Sequence, residues 1–316
     1  MQAGGAPFGG CVSGSSAVQR VGVMGLGRMG SAIATRLTGT FDVRGWDVRS
    51  VSLDGVERAA SAAELLADRE VVISCLPSPR ETSAVVEDPV FAVAFAASDA
   101  VIVDASTSDP DSLRALASRL GAAGARLVDG PILGRPDRVG AWTIPVGGEP
   151  FAVERARSVL RHLAERVEPV GPLGAAHTMK LLNNLMFGAI NVVTAEAIAA
   201  CDRLGVDPAR FVDLVMSSKA ATVSPLFQAL APRMLGSDAP VVFSAALLAK
   251  DVDLAWTMCQ RAGVPVRLAP HVAAAAADAV AAGHGDEDSA ALIEIYRDAT
   301  FERDSKAVSD GGLGGG

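Results

Sequence analysis

Three groups of residues in this 316-residue chain have types and spacings suited to chemistry. The first is Lys180 and Asn184 in "HTMKLLNN", which stand four apart in an apolar run and so share one helix face. A lysine ammonium can give a proton to an oxygen while the adjacent carbon gains a hydride, and an amide can hold that oxygen. From the helix alone, a solvent-exposed Lys180 is the simpler reading. His177, one turn earlier, reads as a packing or surface residue and is given no part. The second group is "GLGRMG", in which Gly25, Gly27 and Gly30 spell G-x-G-x-x-G around Leu26, Arg28 and Met29. The third is "DGPILGR", where an acid, a proline, two glycines and an arginine follow directly on an apolar run.

These groups need elements to hold them. From Val21 the chain alternates short β-branched runs, "RVGVMGL", "FDVRGWD", "EVVISCLP", "AVIVDAST" and "ARLVDGPI", with the helical segments "GSAIATRLTG", "SAAELLADR", "ETSAVVEDPVFAVAFAA" and "PDSLRALASRLGAAG". That alternation predicts a parallel sheet with crossover helices, whose ligands sit at the carboxyl ends of the strands. Two more strands are expected at "AWTIPVGG" and "VEPVGP", with a helix between them. Past Gly174 strand signals stop, and one helix of roughly eight turns runs to Gly205, with further helices after it. The fold class is therefore a Rossmann-type α/β dinucleotide-binding domain followed by an all-α domain. The expected divisions are a disordered tail at 1–19, the nucleotide-binding domain at 20–173, the helical domain at 174–303 with its long helix at 174–204, and a second tail at 304–316.

In this frame the glycine motif lies between the first strand and first helix. Gly25 suits the tight turn, Gly27 lets backbone approach a pyrophosphate, and Gly30 lets helix pack close to strand. Asp47 falls 22 residues beyond Gly25 at the end of the second strand, where a carboxylate can bind ribose hydroxyls and repel a 2′-phosphate. That favours NAD, while Arg49, two residues on, leaves NADP open. Leu76 and Pro77 in "SCLPSP" and Ser106 and Thr107 in "DASTSDP" lie at further strand ends.

Composition bounds the alternatives. The net charge of −8 comes from 36 acidic and 28 basic residues with no basic cluster, which speaks against nucleic acid. The four cysteines lie far apart with no metal-ligand spacing, consistent with a reducing, cytoplasmic setting and no bound metal. The first twenty residues have no positive start and no continuous apolar stretch, so no secretory signal is read there, and no membrane span is expected.

Taken together, "GLGRMGSAIA", "CLPSP", "DAST", "GPLGAAHTMKLLNN", "LLAKDVDLA" and "AAGHGDEDSAALIEIY" resemble, in order, the motifs of the β-hydroxyacid dehydrogenases, most closely the 3-hydroxyisobutyrate-dehydrogenase-like group. The resemblance implies that Lys180 is the general acid/base and Asn184 its neighbour at the substrate oxygen. It implies that Gly25 to Gly30, Leu76, Pro77 and Thr107 line the cofactor, and that Lys250 reaches its nicotinamide end. It further implies a homodimer through the helical domain, acting on a small 3-hydroxy acid or semialdehyde. Imine reductases share this architecture but usually carry another residue in place of Lys180, so imine or specialised carbonyl reduction is the alternative. A non-catalytic nucleotide-binding protein is a weaker one.

One segment departs from the family pattern. Where Asp-Ala-Pro-Val-Ser-Gly-Gly is typical, this chain has Asp129, Gly130, Pro131, Ile132, Leu133, Gly134 and Arg135, and where Gly-Thr-Leu is common it has Gly140, Ala141 and Trp142. Leu133, Gly134, Arg135 and Trp142 are thus the expected substrate-binding residues. Arg135 is a candidate to grip a substrate carboxylate in place of the lost serine.

Overall fold

The computed structural model describes residues 19–218, 224–236 and 240–298, and the two segments read as tails lie outside them, Gln19 apart. The chain divides into two compact units between Leu181 and Leu182.

The first unit is built on one sheet of eight strands. They are β1 (Arg20–Met24), β2 (Asp42–Trp46), β3 (Glu57–Arg58), β4 (Val71–Ser74), β5 (Val101–Asp104), β6 (Leu127–Asp129), β7 (Trp142–Gly148) and β8 (Ala164–Gly171). Their order is β3-β2-β1-β4-β5-β6-β7-β8, parallel throughout except that β7 runs antiparallel to β6. The sequence pattern did not foretell that reversal. A parallel neighbour needs a long crossover, usually a helix, and only a loop with one short 3-10 turn joins β6 to β7. The helices are α1 (Arg28–Leu37), α2 (Ala62–Leu66), α3 (Pro79–Val86), α4 (Pro89–Ala97), α5 (Pro110–Arg119) and α6 (Pro150–Leu160). The segment "ETSAVVEDPVFAVAFAA", expected as one helix, is two. Asp88 accepts hydrogen bonds from the N–H groups of Val90 and Phe91, so it starts α4, and Pro89 takes its first position.

Alternate residues of the central strands bury opposite faces, as strands covered on both sides must. Val21, Val23, Val71, Ile73, Val103 and Val128 pack with Ile33 and Leu37 of α1 and with Val159 and Leu160 of α6. Val72, Ile102 and Leu127 pack with Leu65 of α2, Phe91 and Phe95 of α4 and Leu113 of α5. At the carboxyl edge this second face turns polar: Ser74, Asp104 and Asp129 are register partners on three adjacent strands, all buried.

A long helix, α7 (Ala175–Leu204), follows the sheet. Gly205, with φ of +74°, ends it in the left-handed conformation that glycine adopts freely. The second unit is helical among its described residues, with α8 (Pro208–Ser218), α9 (Pro225–Met234), α10 (Ala245–Arg261), α11 (Ala269–Ala279) and α12 (Glu294–Asp298). Asp207 accepts the N–H of Ala209 at the start of α8, and Gly263 closes α10 with φ of +67°, as their positions in the sequence suggest. Val192, Leu248, Val252 and Val272 form one core, and Ile198, Phe227, Leu230 and Met234 another.

Candidate active site

The loops of interest leave the sheet side by side because the strand ladder continues past the strand ends. The N–H of Gly25 donates to Trp46, that of Cys75 to Met24, that of Ala105 to Ser74 and that of Gly130 to Asp104, at 2.7 to 2.9 Å. The glycine turn, "CLPSP", "DAST" and "DGPILGR" therefore share one edge. Within the turn each glycine has a different reason. Gly25 holds φ of +87°, and a Cβ there would stand 2.7 Å from the Cys75 carbonyl oxygen. A Cβ on Gly30 would stand 1.8 Å from the Gly25 carbonyl oxygen, so only glycine lets α1 sit this close. A Cβ on Gly27 would meet nothing within 4 Å.

That open space lies at the N-terminus of α1, which has no acid in its first turn and no side-chain cap. The first-turn backbone and the positive end of a helix dipole there suit a pyrophosphate, so the residues present fit a dinucleotide. Leu76 flanks the turn, its side chain 3.2 Å from where a Gly25 Cβ would be, and Pro77 is exposed beside it. Thr107 is half-buried in the loop after β5. Arg28 is exposed, whereas Leu26 is buried and Met29 is partly buried against the core. Leu26 thus contributes backbone.

Asp47 directly follows β2, with its carboxylate buried. It accepts the Leu26 N–H at 2.7 Å, the Arg49 N–H at 2.8 Å and the Arg49 Nε at 3.1 Å. Burial, the largest single influence, pushes the Asp47 carboxyl upward, but the bonds from Arg49 and Leu26 together outweigh it and hold it below its usual range. The carboxylate is ionised at neutral pH, and the Arg49 side chain, mostly exposed, is tied to it. Beside the turn, burial first and the Asp104 charge second push the Cys75 thiol up to about 12, so it stays a thiol.

The acid of "DGPILGR" is a structural anchor. Asp129, completely buried, accepts the N–H groups of Gly174 and His177, each at 2.8 Å. Those N–H groups belong to the residue just before α7 and to its first turn, where no intrahelical acceptor exists. The anchor fixes the start of the helix against the end of β6. Two turns along, Lys180 Nζ donates to the Ile132 carbonyl at 2.9 Å, which ties the ammonium to the same loop.

The rest of that loop is held from below. Leu133 bridges Thr143 of β7 through paired backbone bonds, and the Trp142 indole N–H donates to the Arg135 carbonyl at 2.7 Å. Trp142 is completely buried, which corrects the expectation that it touches a substrate. Its ring fills the space beside Gly134, where a Cβ would fall 2.2 Å from Cδ1. Gly134 is therefore needed for this close approach, and the Arg135 side chain is left exposed.

In the second unit, Asn184 is buried and its amide donates to the Asp251 carboxylate at 2.5 Å. Lys250 pairs with the same carboxylate at 2.9 Å. Asp251 was not singled out from the sequence. The signal was present: it falls on the buried stripe of Leu248, Val252 and Ala255 along α10, where an acid needs a partner. Lys180 and Asn184 stand one turn apart on α7, as their spacing requires.

The family model for the NAD binding domain of 6-phosphogluconate dehydrogenase matches residues 20–171, and that for the NAD-binding of NADP-dependent 3-hydroxyisobutyrate dehydrogenase matches residues 174–296. L-threonate dehydrogenase of Cupriavidus necator is 30% identical over 88% of this chain and 96% of its own. 3-Sulfolactaldehyde reductase of Escherichia coli is 29% identical over 88% of this chain and 95% of its own. The structure of Mycobacterium tuberculosis 3-hydroxyisobutyrate dehydrogenase with L-serine matches with a TM-score of 0.75 and 26% identity, covering 89% of this chain and 99% of that one. With its glycine turn, its ordered motifs and both family domains in sequence, the chain belongs to the β-hydroxyacid dehydrogenase family and is an NAD(P)-dependent oxidoreductase.

Proposed function

We propose that the protein interconverts a small 3-hydroxy acid and its semialdehyde, with hydride passing between the β-carbon and nicotinamide. The observation that carries this reading is the Lys180 ammonium held 2.9 Å from the Ile132 carbonyl, in the loop that follows β6 on the same carboxyl edge of the sheet as the glycine turn. Bound nicotinamide supplies the hydride acceptor in oxidation and the donor in reduction. Lys180 exchanges the hydroxyl proton, and Asn184, one turn on, orients the same oxygen by hydrogen bonding. The Gly25, Leu26, Gly27, Arg28, Met29 and Gly30 turn would hold the pyrophosphate, with Leu76, Pro77 and Thr107 along the cofactor and Lys250 toward its nicotinamide end. Leu133 and Gly134 shape the substrate side, and Arg135 grips the substrate carboxylate.

NAD is favoured over NADP because the Asp47 carboxylate is charged and buried where a 2′-phosphate would sit, while Arg49 is already tied to it. The exposed Leu182, Met186 and Val193 of α7 support a homodimer, since apolar side chains on a helix gain by covering one another. We place the protein in the cytoplasm, away from membrane and nucleic acid. Its described cysteines are unpaired, and α7, long enough to span a bilayer by length and composition, starts on a buried carboxylate and carries Lys180. The test is a panel of 3-hydroxy acids, semialdehydes and cyclic imines assayed with both cofactors. Turnover of hydroxy acids or semialdehydes with NAD(H) is expected, and turnover of cyclic imines alone would overturn the reading.

A further inference from the structure

Within the sheet unit, four buried polar atoms near the start of α7 make no hydrogen bond: His177 Nδ1 and Nε2, Asp104 Oδ2 and Ser74 Oγ. All three side chains are nine-tenths or more buried, His177 completely. His177 Nε2 stands 3.9 Å from Asp104 Oδ2, too far for a direct hydrogen bond and within the span that one shared water closes. Ser74 is the register partner of Asp104 on the next strand, so its hydroxyl points to the same face. The surroundings are otherwise fixed. Asp104 Oδ1 accepts the Ser106 N–H at 3.1 Å, and the His177 N–H is bonded to Asp129 at 2.8 Å.

Left unmade, such buried bonds carry the full desolvation penalty of each group. A buried water typically has about three polar partners, the number that these side chains offer. The link would join the ends of β4 and β5 to the α7 turn immediately before Lys180. That turn is already joined to β6 by Asp129, so a second tie on the adjacent strands fixes the rotation of the helix as well as its origin. We propose that one buried water bonded to His177, Asp104 and Ser74 closes this network, and that His177 is through it a positioning residue for Lys180. This rests on Lys180 being the proton-transfer group.

The test is kinetic. His177→Leu removes the ring nitrogens and should lower kcat about tenfold, as a displacement of a fraction of an ångström does, while leaving cofactor KM unchanged within about twofold. His177→Gln can bond to the same water and should recover most of that loss. Ser74→Ala should lower kcat in the same sense by a few fold and decides the matter if His177→Leu does not fold. Wild-type kcat in His177→Leu or in Ser74→Ala, or no recovery in His177→Gln, overturns the inference. Those outcomes with an inactive Lys180→Met enzyme leave the proposed function standing. Full activity in Lys180→Met removes the function's basis instead.

Discussion

Replacing Asp129 by alanine should loosen the helix that carries Lys180, and the size of the effect follows from two hydrogen bonds. The carboxylate accepts the N–H groups of Gly174 and His177 at 2.8 Å each, with no solvent exposure. Hydrogen bonds to a charged group contribute about 1.5–3 kcal/mol each, and their removal strands two donors inside the protein. Against this stands the relief of no longer burying a carboxylate, so the net loss should be about 3 kcal/mol. Asp129→Asn keeps one acceptor oxygen and should lose roughly half as much. Gly147→Ala offers an independent route to the same defect, because its Cβ would fall 2.5 Å from Asp129 Oδ1 and displace the carboxylate. Urea unfolding followed by tryptophan emission reads these losses, since Trp142 is completely buried in the same unit. A loss below about 1 kcal/mol in Asp129→Ala would refute the reasoning, because α7 would then be anchored by something else.

Further expectations follow from the other site residues. Asp47→Asn should raise the NADP-to-NAD ratio of kcat/KM about tenfold, as removal of a buried like charge from the phosphate position would. It should also flatten part of the acid limb of stability. The folded Asp47 carboxyl lies below its ordinary 3.8, so its contribution is complete above that value and is lost as pH falls through the depressed one. Pulse titration of wild type and variant from pH 7 to 2 checks the difference. Arg135→Ala should raise KM for carboxylate substrates about tenfold with a smaller change in kcat, and an unchanged KM across every carboxylate tested rejects its role. Gly27→Val should fold normally yet bind cofactor weakly, whereas Gly30→Ala should lower Tm, because only the second meets backbone. Cofactor titration and thermal melts separate the two.

What the sequence made legible was local. The β-branched runs, the glycine turn, the Asp207 cap and the Gly205 stop each act within a few residues, and each stands where the pattern suggests. What it hid was long-range. Asp129 looks like a substrate-loop acid until its partners, 45 and 48 residues away, are seen to be helix N–H groups. Trp142, an aromatic beside a departure from the family loop, invites a ligand role that complete burial removes. His177 passed for an ordinary helical histidine because nothing in a helix face reveals Asp104 behind it. Asp251 was legible in principle as an acid on an apolar stripe, but its partner Asn184 lies 67 residues earlier.

The most direct measurement is single-turnover kinetics of Lys180→Met beside cofactor affinity measured by nicotinamide fluorescence. Lys180 bonds the Ile132 carbonyl and lies outside the glycine turn, so cofactor affinity should stay within about twofold while the hydride-transfer rate falls at least about 100-fold. A hydride-transfer rate equal to that of wild type would contradict the assignment of Lys180 as the proton-transfer group.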